Sequence, residues 1–170
     1  MLAALSLPAR LDTSPGDLTV RRADPADLPA IVSLLADDPI SAARGDRATA
    51  ADTDAYRAGL DAVLTSPEND LVVVIDGDEA VVGTLQLTVI PGMARRGATR
   101  LLVEAVRVSS ARRSVGIGGA LMTWVMNVAA PALGVGLVQL TSDAARVDAH
   151  RFYTRLGFAD SHVGFKYTIG

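Results

Sequence analysis

The chain contains no cysteine, only two histidines, and aromatic residues at just 4% of its 170 positions. Without cysteine there are no disulfide staples, no thiolate metal sites and no cysteine nucleophile, which fits a cytoplasmic protein. His150 and His162 stand apart in sequence and form a poor ligand set, so no metal is expected. No stretch approaches the ~20 consecutive apolar residues of a membrane-spanning helix, and no membrane partner is expected. A net charge of −3 argues against a general nucleic-acid binder.

What is present is aliphatic: 49% of the residues are apolar, carried by alanine and valine. This length suffices for one domain with a full core. The opening MLAALSLPAR is short and apolar, with no charged start before its apolar run. It reads as a flexible tail over residues 1–17, ending at Asp12-Thr13-Ser14-Pro15-Gly16, rather than as a signal peptide. Residues 18–170 then form a single domain.

Apolar periodicity predicts the elements in order. Leu18 to Arg21 reads as a strand, and Asp24-Pro25 opens a helix with an apolar stripe at Leu28, Ile31, Leu34 and Leu35. A second helix covers about 52–64. Leu71 to Ile75 is an unbroken apolar run, as in a strand buried on both faces. After the turn Asp76-Gly77-Asp78, clean alternation from Val81 to Val89 marks an antiparallel strand. Leu101 to Val108 is the next strand. A helix from Gly116 to about Ala130 buries Ile117, Leu121, Trp124, Val125 and Val128. Leu137 to Leu140 is again a strand, and a helix over 145–156 is stopped by Gly157. Phe158 to Ile169 supplies the closing strand or strands. The order β-α-α-β-β-β-α-β-α-β predicts an α/β fold, a mixed and mostly antiparallel sheet flanked by helices.

The richest segment for function runs from Val106 to Leu121. An apolar strand passes through the polar turn Ser109-Ser110-Ala111-Arg112-Arg113-Ser114-Val115 into Gly116-Ile117-Gly118-Gly119. Small residues let a ligand approach the backbone, and a helix starting there directs unpaired N–H groups and its positive dipole end into the turn. That is an anion site suited to a phosphate or pyrophosphate, with Arg113 placed to add a charge-assisted bond. A dinucleotide-binding turn is a competing reading. It fails because Leu121 stands where the third glycine belongs, and about seven residues separate the strand from Gly116.

Arg113-Ser114-Val115-Gly116-Ile117-Gly118 resembles the signature of the GNAT superfamily of acyl-CoA-dependent N-acyltransferases: Arg or Gln, two residues, Gly, any residue, then Gly or Ala. Phe152-Tyr153-Thr154-Arg155-Leu156-Gly157-Phe158 resembles a second pattern common in that family. The resemblance covers nearly the whole chain in element order. One departure is Arg146, where many members carry Asn seven residues before the tyrosine.

The resemblance implies a sheet splayed between its central parallel strands, with Leu137 to Thr141 as the partner of the strand ending at Val108. It implies acetyl-CoA as co-substrate, bound by Val106, Arg107, Val108, Arg113, Ser114, Val115, Gly116, Ile117, Gly118 and Gly119. Val106 and Val108 would offer backbone groups to the pantetheine arm; the competing reading is two core valines in a closed ladder. An amine acceptor is the second partner, and dimerisation is frequent among members.

Strict alternation places Glu104 on the face of Leu102, Val106 and Val108, where a carboxylate suits a general base. The alternative is a structural carboxylate paired with Arg107 or Arg100. Tyr153 groups with Ala149, Phe152 and Leu156 along a helix. The family implies that it protonates the departing thiolate; the alternative is core packing. The reading is an N-acetyltransferase with Glu104 as base and Tyr153 as acid. A catalytically silent acyl-CoA-binding or protein-interaction module is the alternative.

Overall fold

The computed structural model describes residues 2–12, 17–43 and 45–169, which fall into two compact units, 1–139 and 140–170. The predicted turn residues 13–16 lie outside the described residues.

The first unit is built on a sheet of six strands in the order of the chain: β1 (Ala9–Leu11), β2 (Leu18–Arg22), β3 (Asn69–Ile75), β4 (Val81–Ile90), β5 (Arg100–Val108) and β6 (Leu137–Leu140). Leu140, the last residue of β6, opens the second unit. Pairing from β1 to β5 is antiparallel throughout. The neighbour beyond β5 is β6, reached through a helical crossover, the connection that parallel neighbours require. The expected α/β class with a mixed, mostly antiparallel sheet is therefore the observed one.

The N-terminal segment corrects the expectation of a flexible tail. Strand β1 pairs with β2, and Leu2, Leu5 and Leu11 are buried. The main chain of β1 pairs along the edge of β2 that would otherwise be left open.

Helices α1 (Leu28–Ala36), α2 (Pro39–Ala43) and α3 (Thr53–Thr65) follow β2, and a four-residue turn, α4 (Ala94–Gly97), joins β4 to β5. Before α1 the Asp24 carboxylate accepts from Ala26 N–H, and Asp27 returns a bond to Asp24 N–H, a reciprocal cap with Pro25 at its first position. One face of the sheet packs Leu71, Val73 and Ile75 against Leu28, Ile31 and Leu60 of α1 and α3. The other face meets α5 (Ile117–Trp124): a Cβ on Gly83 would lie 3.7 Å from Ile117 and 3.1 Å from the Arg107 carbonyl. Glycine at 83 allows that close approach.

Two departures from regularity change what the sequence predicts. In the β4–β5 ladder Gln86 opposes Glu104 but Thr84 opposes Arg107, so Ala105 and Val106 together face Leu85. This is a β-bulge, and Ala105 takes a φ of +51°. The second departure follows α5, which widens into a π turn over Val125–Ala129 before α6 (Ala130–Ala132). The wider turn shifts the helical phase, so Ala129 is buried and Val128, expected inside, is 50% exposed.

The second unit holds α7 (Val147–Arg155), which Gly157 ends at a φ of +92°. Phe158 to Ile169, expected as closing strands, carry no strand. Val163, Phe165, Tyr167 and Ile169 alternate as in a strand yet are 80–93% exposed. Alternation gives a strand only where a partner supplies the ladder.

Candidate active site

The segment from β5 to α5 turns through backbone that few residues tolerate. Ser109 N–H donates to the Val82 carbonyl at 2.9 Å, and Ser110–Arg112 form one 3-10 turn. Ser114 then takes a φ of +66° and Gly116 a φ of +91°. Gly116 is the N-cap of α5 and has no side chain with which to cap it. Its carbonyl accepts the first regular helical bond from Ala120, leaving the N–H groups of Ile117, Gly118 and Gly119 to face outward. Nothing lies within 4 Å of a Cβ built on Gly116 or Gly119. Open space, orphan donors and the positive end of a helix together form an anion cradle.

The arginines around the turn are each directed by an oxygen. Arg112 pairs with Asp76 at 2.8 Å, beside a cavity of about 190 Å³ lined by Asp17, Leu18, Asp78, Val115 and Ile117. Arg113 reaches the Asp37 carbonyl at 3.4 Å. Arg107 donates to the Val106 carbonyl at 2.8 Å and to Ser41 Oγ at 2.5 Å, so its guanidinium turns to α2 rather than to the glycine turn. Val106 and Val108 are half-buried, as is all of β6. At its start β5 is tied toward β6 by Gly136 N–H donating to the Thr99 carbonyl at 3.0 Å.

The bulge corrects the expected setting of Glu104. Cross-strand partners point to one face, so Glu104 lies with Leu102 and Arg107 on the α1 and α3 face, whereas Val108 opposes Gly83 on the α5 face. The extra residue at Ala105 breaks the period of two on which simple alternation rests. Glu104 is exposed, and among the described residues it makes no ion pair, since Arg107 bonds Ser41 instead.

In the second unit Tyr153 is half-buried, with edge-on ring contacts to Phe152 at 5.1 Å and Phe158 at 5.8 Å. Arg146 is the N-cap of α7, and its N–H donates to the Asp143 carbonyl at 3.0 Å. The His150 ring bonds the same carbonyl at 2.8 Å. His162 bonds its neighbour Ser161. Among the described residues no cluster of three metal-binding side chains occurs, and no helix is long and apolar enough to cross a membrane.

One residue of the site was hidden in the sequence. Asp37 reads as an acidic loop residue, but the structure makes it the C-cap of α1, with its carboxylate accepting Ser110 N–H at 2.7 Å. That bond, with the Ser110 hydroxyl, holds the Asp37 carboxyl below the usual carboxylate range. The signal available was a carboxylate at the negative end of a helix, which needs a donor from elsewhere.

The six-stranded mixed sheet, with a glycine-marked helix start after β5, is an α/β fold carrying an anion cradle at the head of α5. The sequence signature of the Acetyltransferase (GNAT) family matches residues 29–158, and the chain belongs to that family. A crystal structure described as a transcriptional regulator from Bacillus halodurans C-125 is 38% identical, with a TM-score of 0.84 over 89% of this chain and 99% of the other. A putative acetyltransferase from Agrobacterium tumefaciens str. C58 is 24% identical, with a TM-score of 0.72 over 88% and 99%. Glucosamine-6-phosphate N-acetyltransferase from Arabidopsis thaliana shares the fold at 13% identity, with a TM-score of 0.71 over 90% and 99%. No curated protein matches the sequence significantly.

Proposed function

We propose that the chain is an N-acetyltransferase that moves an acetyl group from acetyl-CoA to a primary amine. The carrying observation is the glycine turn: orphan N–H groups, a left-handed Gly116 and clear space at the start of α5. Those features suit a pyrophosphate, and Arg113 is within reach to add a bond once it leaves the Asp37 carbonyl. The pantetheine arm runs along the backbone of β5 at Val106 and Val108, both of them half-buried.

In the reaction the amine nitrogen attacks the thioester carbonyl carbon, a C–N bond forms and the C–S bond breaks. Glu104 takes the proton that the amine must lose, directly or through water; its exposure leaves it open to an incoming substrate. Tyr153 gives its hydroxyl proton to the departing thiolate. Calorimetry with coenzyme A, followed by thiol release from acetyl-CoA across a panel of amines, tests the reading. Folded protein that binds neither coenzyme A nor its thioesters overturns it.

A second reading has one observation in its favour. The relative at 38% identity is described as a transcriptional regulator, which suits a silent acyl-CoA-binding or protein-interaction module. Binding without thiol release on any amine, together with unaltered behaviour of Glu104→Gln and Tyr153→Phe, selects it.

A further inference from the structure

The segment 110–116 is exposed along its whole length, so no buried side chain of its own fixes its shape. Its form depends on tethers, and two of them reach one residue. The Asp37 carboxylate accepts Ser110 N–H at 2.7 Å, and the Asp37 carbonyl accepts the Arg113 guanidinium at 3.4 Å. The corner that carries Asp37 is itself braced. Asp38 accepts Ser41 N–H at 2.8 Å, and buried Ser41 meets Arg107 of β5 at 2.5 Å. The junction of α1 and α2 is thus bonded to β5, to the start of the turn and to the arginine before the glycines.

We propose that Asp37 is the positioning residue of the glycine turn: it fixes Ser110 and stations Arg113, so that the amides at the start of α5 are arranged before an acyl-CoA arrives. The role rests on the acyl-CoA reading above and extends it to a helix corner distant in sequence from the motif. Preorganisation of this kind improves affinity by removing the ordering that binding would otherwise require. Occupancy exchanges the Asp37 carbonyl for a phosphate oxygen at Arg113, a stronger charge-assisted partner. The Asp37–Ser110 bond stays in place.

The test compares the full-length parent with Asp37→Ala and Asp37→Asn. Asparagine keeps an oxygen that can accept Ser110 N–H, whereas alanine removes it. Calorimetry with coenzyme A is expected to show Asp37→Ala weakened about 3- to 10-fold, the span that one exposed hydrogen bond carries. Asp37→Asn is expected within about 2-fold of the parent by the same reasoning. With no ligand present, amide exchange over 109–116 is expected to speed up about 10-fold in Asp37→Ala, and the unchanged core strands exclude general destabilisation. A parent that binds coenzyme A while Asp37→Ala binds equally well overturns the positioning role alone. Unchanged exchange over 109–116 in Asp37→Ala does the same. A parent that binds no coenzyme A overturns the acyl-CoA reading itself, and the positioning role with it.

Discussion

Replacing Gly116 by alanine puts a Cβ on a residue whose φ is +91°, and the structure leaves nothing within 4 Å for that Cβ to strike. The cost to the free protein is therefore backbone strain alone, about 1–2 kcal/mol for a non-glycine residue in the left-handed region. For a chain of this size that lowers Tm by roughly 2–8 °C, which leaves the protein folded for study. Gly119→Ala is the companion variant. Gly119 lies inside α5, also has nothing within 4 Å, and keeps its N–H as alanine. It is expected to gain about 0.5–1 kcal/mol, because glycine inside a helix carries an entropic cost. The two variants thus move stability in opposite directions. Affinity for coenzyme A, read by calorimetry at a temperature where both are folded, is expected to fall at least about 10-fold in Gly116→Ala, where the methyl occupies the approach to the backbone. Gly119→Ala, whose methyl also enters the open space of the cradle but on ordinary helical backbone, is expected to weaken binding less than Gly116→Ala. If Gly116→Ala binds like the parent while its Tm drops by that amount, the turn is strained for some reason other than cradling an anion, and the reasoning fails.

Further expectations concern chemistry and the core. Glu104→Gln is expected to lower kcat about 10²-fold or more with coenzyme A affinity preserved, and turnover near the parent value removes Glu104 as the base. Tyr153→Phe keeps the ring contacts to Phe152 and Phe158 and loses only the hydroxyl, so an unchanged kcat removes the acid role. Asp27 is buried and accepts both Arg21 donors, at 2.7 and 2.8 Å, which holds its carboxyl below the usual range. Its stabilisation is present in full above the unfolded carboxylate range and is lost as pH falls through the lowered folded value. Urea melts of Asp27→Asn are thus expected to show a loss of about 1.5–3 kcal/mol at pH 7 that shrinks in strong acid; a loss independent of pH contradicts the ion-pair account. Leu121→Ala, at a fully buried site on α5, is expected to cost about 2–5 kcal/mol by thermal or denaturant unfolding.

Much of the fold was legible because local chemistry and burial agree. The Asp24-Pro25 cap, the double-sided burial of Leu71 to Ile75 and the strand–turn–glycine–helix passage each carry their own signal in adjacent residues. What escaped depends on partners distant in sequence or on a changed period. Nothing in Glu104-Ala105-Val106 announces a bulge, since alanine shows no preference for a φ of +51°. The π turn after Trp124 likewise shifts phase without a marker residue. Asp37 and Ser110 lie 73 positions apart, and only the packed fold brings carboxylate and amide together. The tail from Phe158 has the alternation of a strand, but sequence alone does not supply the neighbour that would make it one.

The supernumerary residue at Ala105 resets odd and even along β5. Upstream, even-numbered side chains look toward α1 and α3; downstream, odd-numbered Arg107 does. A carboxylate and a guanidinium three positions apart thereby share one wall, while Val108 is turned to the opposite layer. Removing Ala105 or Val106 would straighten the ribbon yet leave Glu104 opposite Gln86 and Arg107 opposite Thr84, whereas an added residue that the bulge does not absorb would turn Arg107 to the other layer and strip Ser41 of its arginine. Lengthening this ribbon by one residue is therefore expected to be more damaging than the same insertion in the connection from Pro91 to Thr99.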